Sequence, residues 1–312
     1  MTTQSCSPTT EPVTREDVRQ AAARIAGHAR RTPVLTTTID GRPVSLKLEY
    51  MQVSGSFKFR GALNAVTVAV EAGARQVITA SGGNHGAAVA AAARLRGVPA
   101  LVYVPHGTPD AKVRRIAGAG ARVAEHGQRY ADAEVAARAE AAASGGTYVH
   151  AYNAPPVVAG QGTVGLEITE QAPECDVVVA AVGGGGLAAG IAAALDTERI
   201  LVAVEPENCD ALHVAFAHGT PADAPAEGVA ASALGATRVG DLAFTMLSSR
   251  PTGLAHVTDQ EILAARDRLW EELRIAVEPA AAAPFAAWLA GRVPGSRPCL
   301  VVCGANAAWS PS

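Results

Sequence analysis

Aromatic residues are scarce in this chain: 5 Phe, 3 Trp and 5 Tyr amount to 4% of 312 residues. The apolar mass is Ala, Val, Leu and Ile, which suits helices layered on sheets better than an aromatic-rich β-sandwich. Charge is also limited. Charged residues are 18%, with 26 basic against 29 acidic and no long run of one sign, so there is no basic footprint for nucleic acid. The cysteines are few and odd in number: Cys6, Cys175, Cys209, Cys299 and Cys303. No CxxC pair offers a zinc site, and a reducing cytoplasm is the expected setting. Cys299 and Cys303 read as residues on one face of a terminal strand, which is poor ligand geometry. HxxxH and HExxH are absent, which argues against a histidine-based metal site. A GxSxG elbow is absent too, which argues against a serine hydrolase.

Long apolar runs are almost missing. Residues 175–195 have the length of a membrane span. Gly183 to Gly186 interrupt them at a helix cost of roughly 1 kcal/mol per glycine, so strand, glycine turn and helix is the better reading. The polar N-terminus, to about Thr14, has no apolar core and predicts a disordered tail rather than a signal peptide.

What is present is a 49% hydrophobic chain, too apolar for general disorder and, at roughly 150 residues per domain, long enough for about two domains. Thr14 with Asp17 predicts a capped helix start. Strands are then expected at 44–49, 76–80, 99–104, 121–126, 147–150, 176–182, 199–206 and 299–304. Ala-rich helices lie between them, among them GALNAVTVAVEAG, HGAAVAAAARLRG and TVGLEITEQA. Residues 207–256 read as loop-rich. Fully apolar strands alternating with helices indicate α/β lobes, each a mostly parallel sheet covered by helices, with ligands at the carboxyl ends of the strands.

Four polar or glycine-rich loops follow strands or open helices: Ser54 to Gly61, Ser81 to Gly86, Gly183 to Gly186, and Cys303 to Asn306. The third suits an anion, because glycines admit close approach and a helix N-terminus supplies free N–H groups. A tight turn that needs glycine for backbone reasons would look the same. Lys58 is a candidate nucleophile if its amine is desolvated, with Phe57, Phe59 and Arg60 beside it, or an exposed lysine at a helix start if it is not. His85 either caps a helix or touches a ligand.

Together these segments resemble the pyridoxal-phosphate enzymes of the tryptophan-synthase-β-like fold (fold type II), within them the threonine/serine dehydratase and serine racemase branch. The resemblance runs from about Val18 to Asn306. It is carried by LKLEYMQVSGSFKFRGA, ASGGNHG, AGQGTVGLEI, VGGGGL, EPAAA and CGAN. It implies that Lys58 forms the Schiff base with pyridoxal 5'-phosphate and that Phe57 packs against the ring. Asn84 would bond the ring hydroxyl. Gly183, Gly184, Gly185, Gly186 and Leu187 would hold the phosphate, while Glu278 and Cys303 would face the cofactor. Ser81, Gly82, Asn84 and His85 would cradle the substrate carboxylate.

Beside the disordered tail read at 1–14, it further implies a large cofactor-binding domain of 15–75 and 151–312, a small mobile domain of 76–150, and a homodimer. The implied activity is elimination of water from a β-hydroxy amino acid by an ammonia-lyase of the threonine/serine type. The alternatives are a hydroxyaspartate or diaminopropionate lyase and, further off, a serine racemase. Racemases of the branch carry a serine where Gly82 stands. Metal-binding members carry an acidic residue where Ala211 stands, which leaves Glu205 a weak metal candidate. HAYNAP at 150–155 replaces the branch's HPFD-type segment. The end at Ser312 leaves no room for the regulatory domain of allosteric threonine dehydratases.

Overall fold

A computed structural model describes residues 11–306. Cys6 and most of the expected N-terminal tail lie outside the described residues. The first helix, α1 (Arg15–Ile25), opens on a capping box in which Thr14 and Asp17 satisfy each other's backbone N–H groups.

Next come β1 (Val34–Ile39) and β2 (Arg42–Lys47), an antiparallel hairpin turned by Asp40 and Gly41 at φ 51° and 72°. Only the second strand was expected. The Asp-Gly dipeptide, a strong signal for a hairpin turn, marks the first.

The small sheet follows from a repeated strand–helix pattern. Its strands are β3 (Val77–Ala80), β4 (Ala100–Val104), β5 (Arg122–Glu125) and β6 (Thr147–Tyr148), in the order β5-β4-β3-β6 and all parallel. The helices α2 (Lys58–Glu71), α3 (Asn84–Leu95), α4 (Asp110–Gly118) and α5 (Tyr130–Ser144) precede or connect them.

The larger sheet takes β7 (Val177–Ala181), β8 (Ile200–Pro206), β9 (Thr252–Val257) and β10 (Pro298–Val301) in the order β1-β2-β10-β7-β8-β9, with only the β1–β2 pair antiparallel. Around it lie α6 (Pro155–Gln171), α7 (Gly186–Ala194), α8 (Ala211–His218), α9 (Ala231–Leu234), α10 (Asp241–Ser248), α11 (Asp259–Leu273) and α12 (Pro279–Leu289).

Residues 207–256 are loop-rich, as expected, and also hold α8, α9, α10 and β9, short elements whose burial against the large sheet outweighs their weak local signal. Two other expectations are corrected. AGQGT does not start its helix. α6 begins earlier, with prolines at its first turn, and runs straight through Gly160, Gly162 and Gly165. Those glycines permit contact: a Cβ on Gly160 would lie 2.6 Å from Gly61 Cα of α2, and one on Gly162 would lie 2.7 Å from Gly190 O of α7. Finally, β10 ends at Val301, so Cys299 lies in the core strand while Cys303 lies past it, and the two do not share a strand face.

A buried ion network fixes α2 against β2 and α6. Arg60, 1% exposed, donates to both carboxylate oxygens of Glu49 at 2.8 Å. It also donates to Glu167 at 2.7 and 2.9 Å and to Thr163 Oγ1 at 3.2 Å. Lys47 joins through Glu167, Thr32 O and Gln171. Burial alone raises the Glu49 carboxyl, but the Arg60 and Lys47 charges and the Thr32 hydroxyl win and hold it below the usual carboxylate range.

Candidate active site

The carboxyl ends of β3, β4, β7 and β10 converge on one cavity of about 710 Å³. Such crevices are where ligands of open α/β sheets sit. Lys58, the first residue of α2, reaches into it. The loop before it is held to the chain past β10: Phe57 N donates to Cys303 O at 3.1 Å and Ala305 N to Gly55 O at 3.0 Å, while Ser56 bridges Gly304. Ser54 and Gly55 take φ 67° and 77° to make that turn.

The Lys58 amine donates to Ala151 O at 3.1 Å and lies 5.1 Å from the Phe57 ring centre. Burial pushes its pKa down to about 8 against the opposing pull of Cys303 and Glu278. The expectation that Arg60 supplies the cationic neighbour is corrected. Residues two apart on a helix project to opposite sides, and Arg60 points into the ion network instead. Phe59 likewise belongs to the core.

The Cys303 thiol is also pushed up, first by burial and then by the Glu278 charge, so it stays protonated. Glu278, the N-cap residue of α12, has its carboxyl raised by burial. It accepts from Asn84 Nδ2 at 2.8 Å, and Asn84 Oδ1 accepts from Asn306 Nδ2 at 2.9 Å. The Asn84 amide is thus fixed from two sides at the start of α3.

His85, 2% exposed, sets Nε2 at 3.2 Å from Val149 O, so that nitrogen carries the proton. Its Nδ1 is a buried acceptor with no partner. Burial and the Lys58 charge bring its pKa down to about 3, so the ring is neutral. Ser81 Oγ accepts from Gly83 N at 3.2 Å.

The glycine loop follows β7 and opens α7, with Gly185 at φ 87°. A Cβ on Gly184 would strike the Tyr152 ring at 2.3 Å, and one on Gly183 would lie 2.9 Å from Leu234 Cα. Glycine is therefore required here by packing, and the loop with the start of α7 lines the cavity.

Phe57, Lys58, Ser81, Gly82, Asn84, His85, Gly183 to Leu187, Glu278 and Cys303 all line this one cavity. Glu205 does not. Its carboxylate accepts from Leu212 N and His213 N at 2.8 and 2.9 Å and from His213 Nδ1 at 2.6 Å, which makes it an anchor for the start of α8. Among the described residues no group of three or more His, Cys, Asp and Glu side chains is placed to hold a metal ion.

Sequence reasoning missed Thr108, Glu134 and Leu234 on the cavity wall, which Tyr152 of the HAYNAP segment also lines. Thr108 follows the β4 strand, so the rule that ligands sit at strand ends could have found it. Leu234 lies in the stretch read as loop and carries no local signal.

The residues suit a phosphate-bearing aldehyde: donors at a helix start, a desolvated amine, an unpartnered buried imidazole nitrogen and a neutral thiol. Comparison with known proteins points the same way. The model of the family described as pyridoxal-phosphate dependent enzyme matches residues 25–304. A serine racemase of Arabidopsis thaliana is 34% identical over 309 residues, covering 93% of this chain and 92% of that protein. A beta-hydroxyaspartate dehydratase of Paracoccus denitrificans is 36% identical over 304 residues, covering 94% and 96%. The solved structure of maize serine racemase superposes with a TM-score of 0.89 at 32% identity, over 95% of this chain and 94% of that one. That of a threonine deaminase superposes with the same TM-score at 34% identity, over 96% of this chain and all of that one. No helix among the described residues is long and apolar enough to cross a membrane. With that match and those relatives, over a cavity built around a desolvated lysine and a glycine loop, the chain belongs to the pyridoxal-phosphate dependent enzyme family, and its cofactor is pyridoxal 5'-phosphate.

Proposed function

We propose that the protein is an ammonia-lyase that removes water from a β-hydroxy amino acid, L-threonine or L-serine, and releases a 2-oxo acid and ammonia. The observation that carries this reading is the pairing of a desolvated lysine amine with a buried neutral thiol in one cavity. Bound pyridoxal phosphate supplies an electron sink for the pair left when the Cα–H bond breaks.

Lys58 anchors the cofactor through its amine. When not bonded to the cofactor, Lys58 would accept the Cα proton, a role for which a pKa of about 8 is well matched near neutral pH. Backbone N–H groups of Gly183 to Leu187 would hold the phosphate, and Phe57 would pack against the ring. The Asn84 amide, fixed by Glu278 and Asn306, meets the ring hydroxyl. Ser81, Gly82, Asn84 and His85 hold the substrate carboxylate at the start of α3. A protonated Cys303 lends no negative charge to the ring nitrogen. With the cofactor bound, this would favour loss of the β-hydroxyl, protonated within the site so that it leaves as water, over transamination.

A second reading has its own support. Lys112 and Arg129 also line the cavity and would suit a substrate with a second carboxylate, such as β-hydroxyaspartate, the substrate named for the Paracoccus relative. A screen for ammonia and 2-oxo acids over β-substituted amino acids of both configurations separates these cases. Pyruvate or 2-oxobutanoate from L-serine or L-threonine is the expected result. Turnover of none of them, or interconversion of L- and D-serine as fast as pyruvate forms, overturns the proposal.

Residues 76–150, which carry the small sheet, form the mobile domain of this reading. Residues 15–75 and, as far as they are described, 151–306 form the larger, cofactor-binding one of this reading. A cytoplasmic homodimer is proposed with it. Buried free thiols at Cys175, Cys209, Cys299 and Cys303 support a reducing compartment.

A further inference from the structure

Gly82 and Thr108 come from the turns after β3 and β4 and meet in the cavity wall. A Cβ built on Gly82 would lie 2.9 Å from Thr108 Cγ2 and 3.3 Å from Thr108 Oγ1. The Gly82 backbone is outside the positive-φ region. What excludes a side chain at 82 is therefore the Thr108 side chain and not backbone strain. The neighbouring Gly83 shows the contrast: its Cβ would meet only Ser232 O, at 3.8 Å.

The Thr108 hydroxyl is already committed. It donates to Pro105 O at 2.7 Å, in a turn that Thr108 N closes on the same carbonyl at 3.2 Å. The hydroxyl proton is thus held inside the wall, and the cavity meets a methyl group and oxygen lone pairs. Ser81, the other hydroxyl of this wall, is turned to the start of α3, where it accepts from Gly83 N.

We infer that Thr108 is a specificity-determining residue: it fills the space that a side chain at 82 would take, so that neither position 82 nor position 108 offers an acid to the substrate α-carbon, whose proton Lys58 moves. This inference rests on the reading of Lys58 as the base. The proton leaves Cα for Lys58 Nζ and returns by the same path. Return from the wall would need a hydroxyl free to donate, and Thr108 does not offer one.

The test uses the wild-type protein, Gly82→Ser, Thr108→Ala and the double variant. Thermal unfolding of each without cofactor reads the steric pairing directly. Gly82→Ser alone should lower Tm by roughly 3–8 °C, as overpacking does, and most of that loss should vanish in the Thr108→Ala background. Equal Tm losses in both backgrounds overturn the pairing.

The second readout is L-alanine in D₂O with the holoenzyme, because alanine has no β-substituent to eliminate. The wild type should exchange the Cα proton for deuterium and keep the L configuration. A positioned acid is worth roughly 10²–10⁴-fold, so the double variant should raise the ratio of D-alanine to exchange by about 10-fold or more. D-alanine forming in the wild type as fast as exchange overturns the role of Thr108. Absence of any exchange in the wild type overturns Lys58 as the base, and with it the inference about the proton path, while the unfolding cycle still decides the steric pairing.

Discussion

Arg60→Leu should be the most damaging single change outside the cavity, and its damage should depend on pH in a definite direction. In the wild type two cations, Lys47 and Arg60, face two carboxylates, Glu49 and Glu167, and the network is neutral. Removing Arg60 leaves one negative charge in excess at a site where Glu49 is fully buried. Four charge-assisted hydrogen bonds disappear with it, two to Glu49 and two to Glu167.

Breaking a buried pair on one side costs about 3–5 kcal/mol, and at roughly 2–4 °C per kcal/mol for a chain this large Tm should fall by roughly 6–20 °C near pH 8. The pH sign follows from Glu49. Its folded pKa is depressed in the wild type, so it contributes stability above the ordinary carboxylate range that is lost as pH falls. Without Arg60, burial dominates and the folded pKa rises above the unfolded one. The variant then loses stability as pH rises, so the gap to wild type should be widest at pH 8 and narrow toward pH 5. Glu49→Gln in the same background removes the stranded charge and should recover part of the loss. Differential scanning fluorimetry from pH 5 to 8 measures all of this. A Tm loss under about 2 °C, or one equal at both ends of the range, would falsify the network argument.

Lys58→Ala should abolish the borohydride-fixable cofactor linkage and cut turnover by roughly 10²–10⁴-fold. In the cofactor-free protein, competitive acylation of Lys58 should titrate with a midpoint of about 8, and a midpoint near that of ordinary lysines would refute the desolvation argument. Gly184→Ala forces a methyl group into the Tyr152 ring and should weaken pyridoxal-phosphate binding about 10-fold or more, with Tyr152→Ala restoring part of it in a fluorescence titration. EDTA should leave activity in place, because the Glu205 carboxylate is occupied by the start of α8 and by His213; activity recovered only on adding Mg²⁺ or Mn²⁺ would contradict this. Cys303→Asp should lower elimination and raise transamination, read as the ratio of pyruvate to aminated cofactor, and an unchanged ratio would sink the argument from the neutral thiol.

The alternation of apolar strands with Ala-rich helices was enough to read the α/β class and most of both sheets, because strand and helix periods are local properties of the chain. The hairpin strand β1 carried a legible Asp40-Gly41 turn, but its threonines alternate exposed and partly buried faces and give little apolar signal. Elements α8, α9 and α10 are short and acquire order from packing on the large sheet, which no local window contains.

In the site, Lys58, the Ser81 to His85 loop, the glycine loop and Cys303 were visible because each sits beside a strand end or a helix start, where the backbone itself supplies the chemistry. By itself, then, the sequence determined which elements form and which loops carry donors, a nucleophile and a thiol. Only the tertiary structure decided that these loops share one cavity. It also turned Arg60 away from Lys58 into a buried ion network, gave Glu205 to a helix start, and set Thr108 over Gly82. Those outcomes depend on which side chains meet across separations of tens to hundreds of residues, and on which charges are buried when they meet. Burial and contact are properties of the packed molecule, and the order of residues along the chain does not contain them.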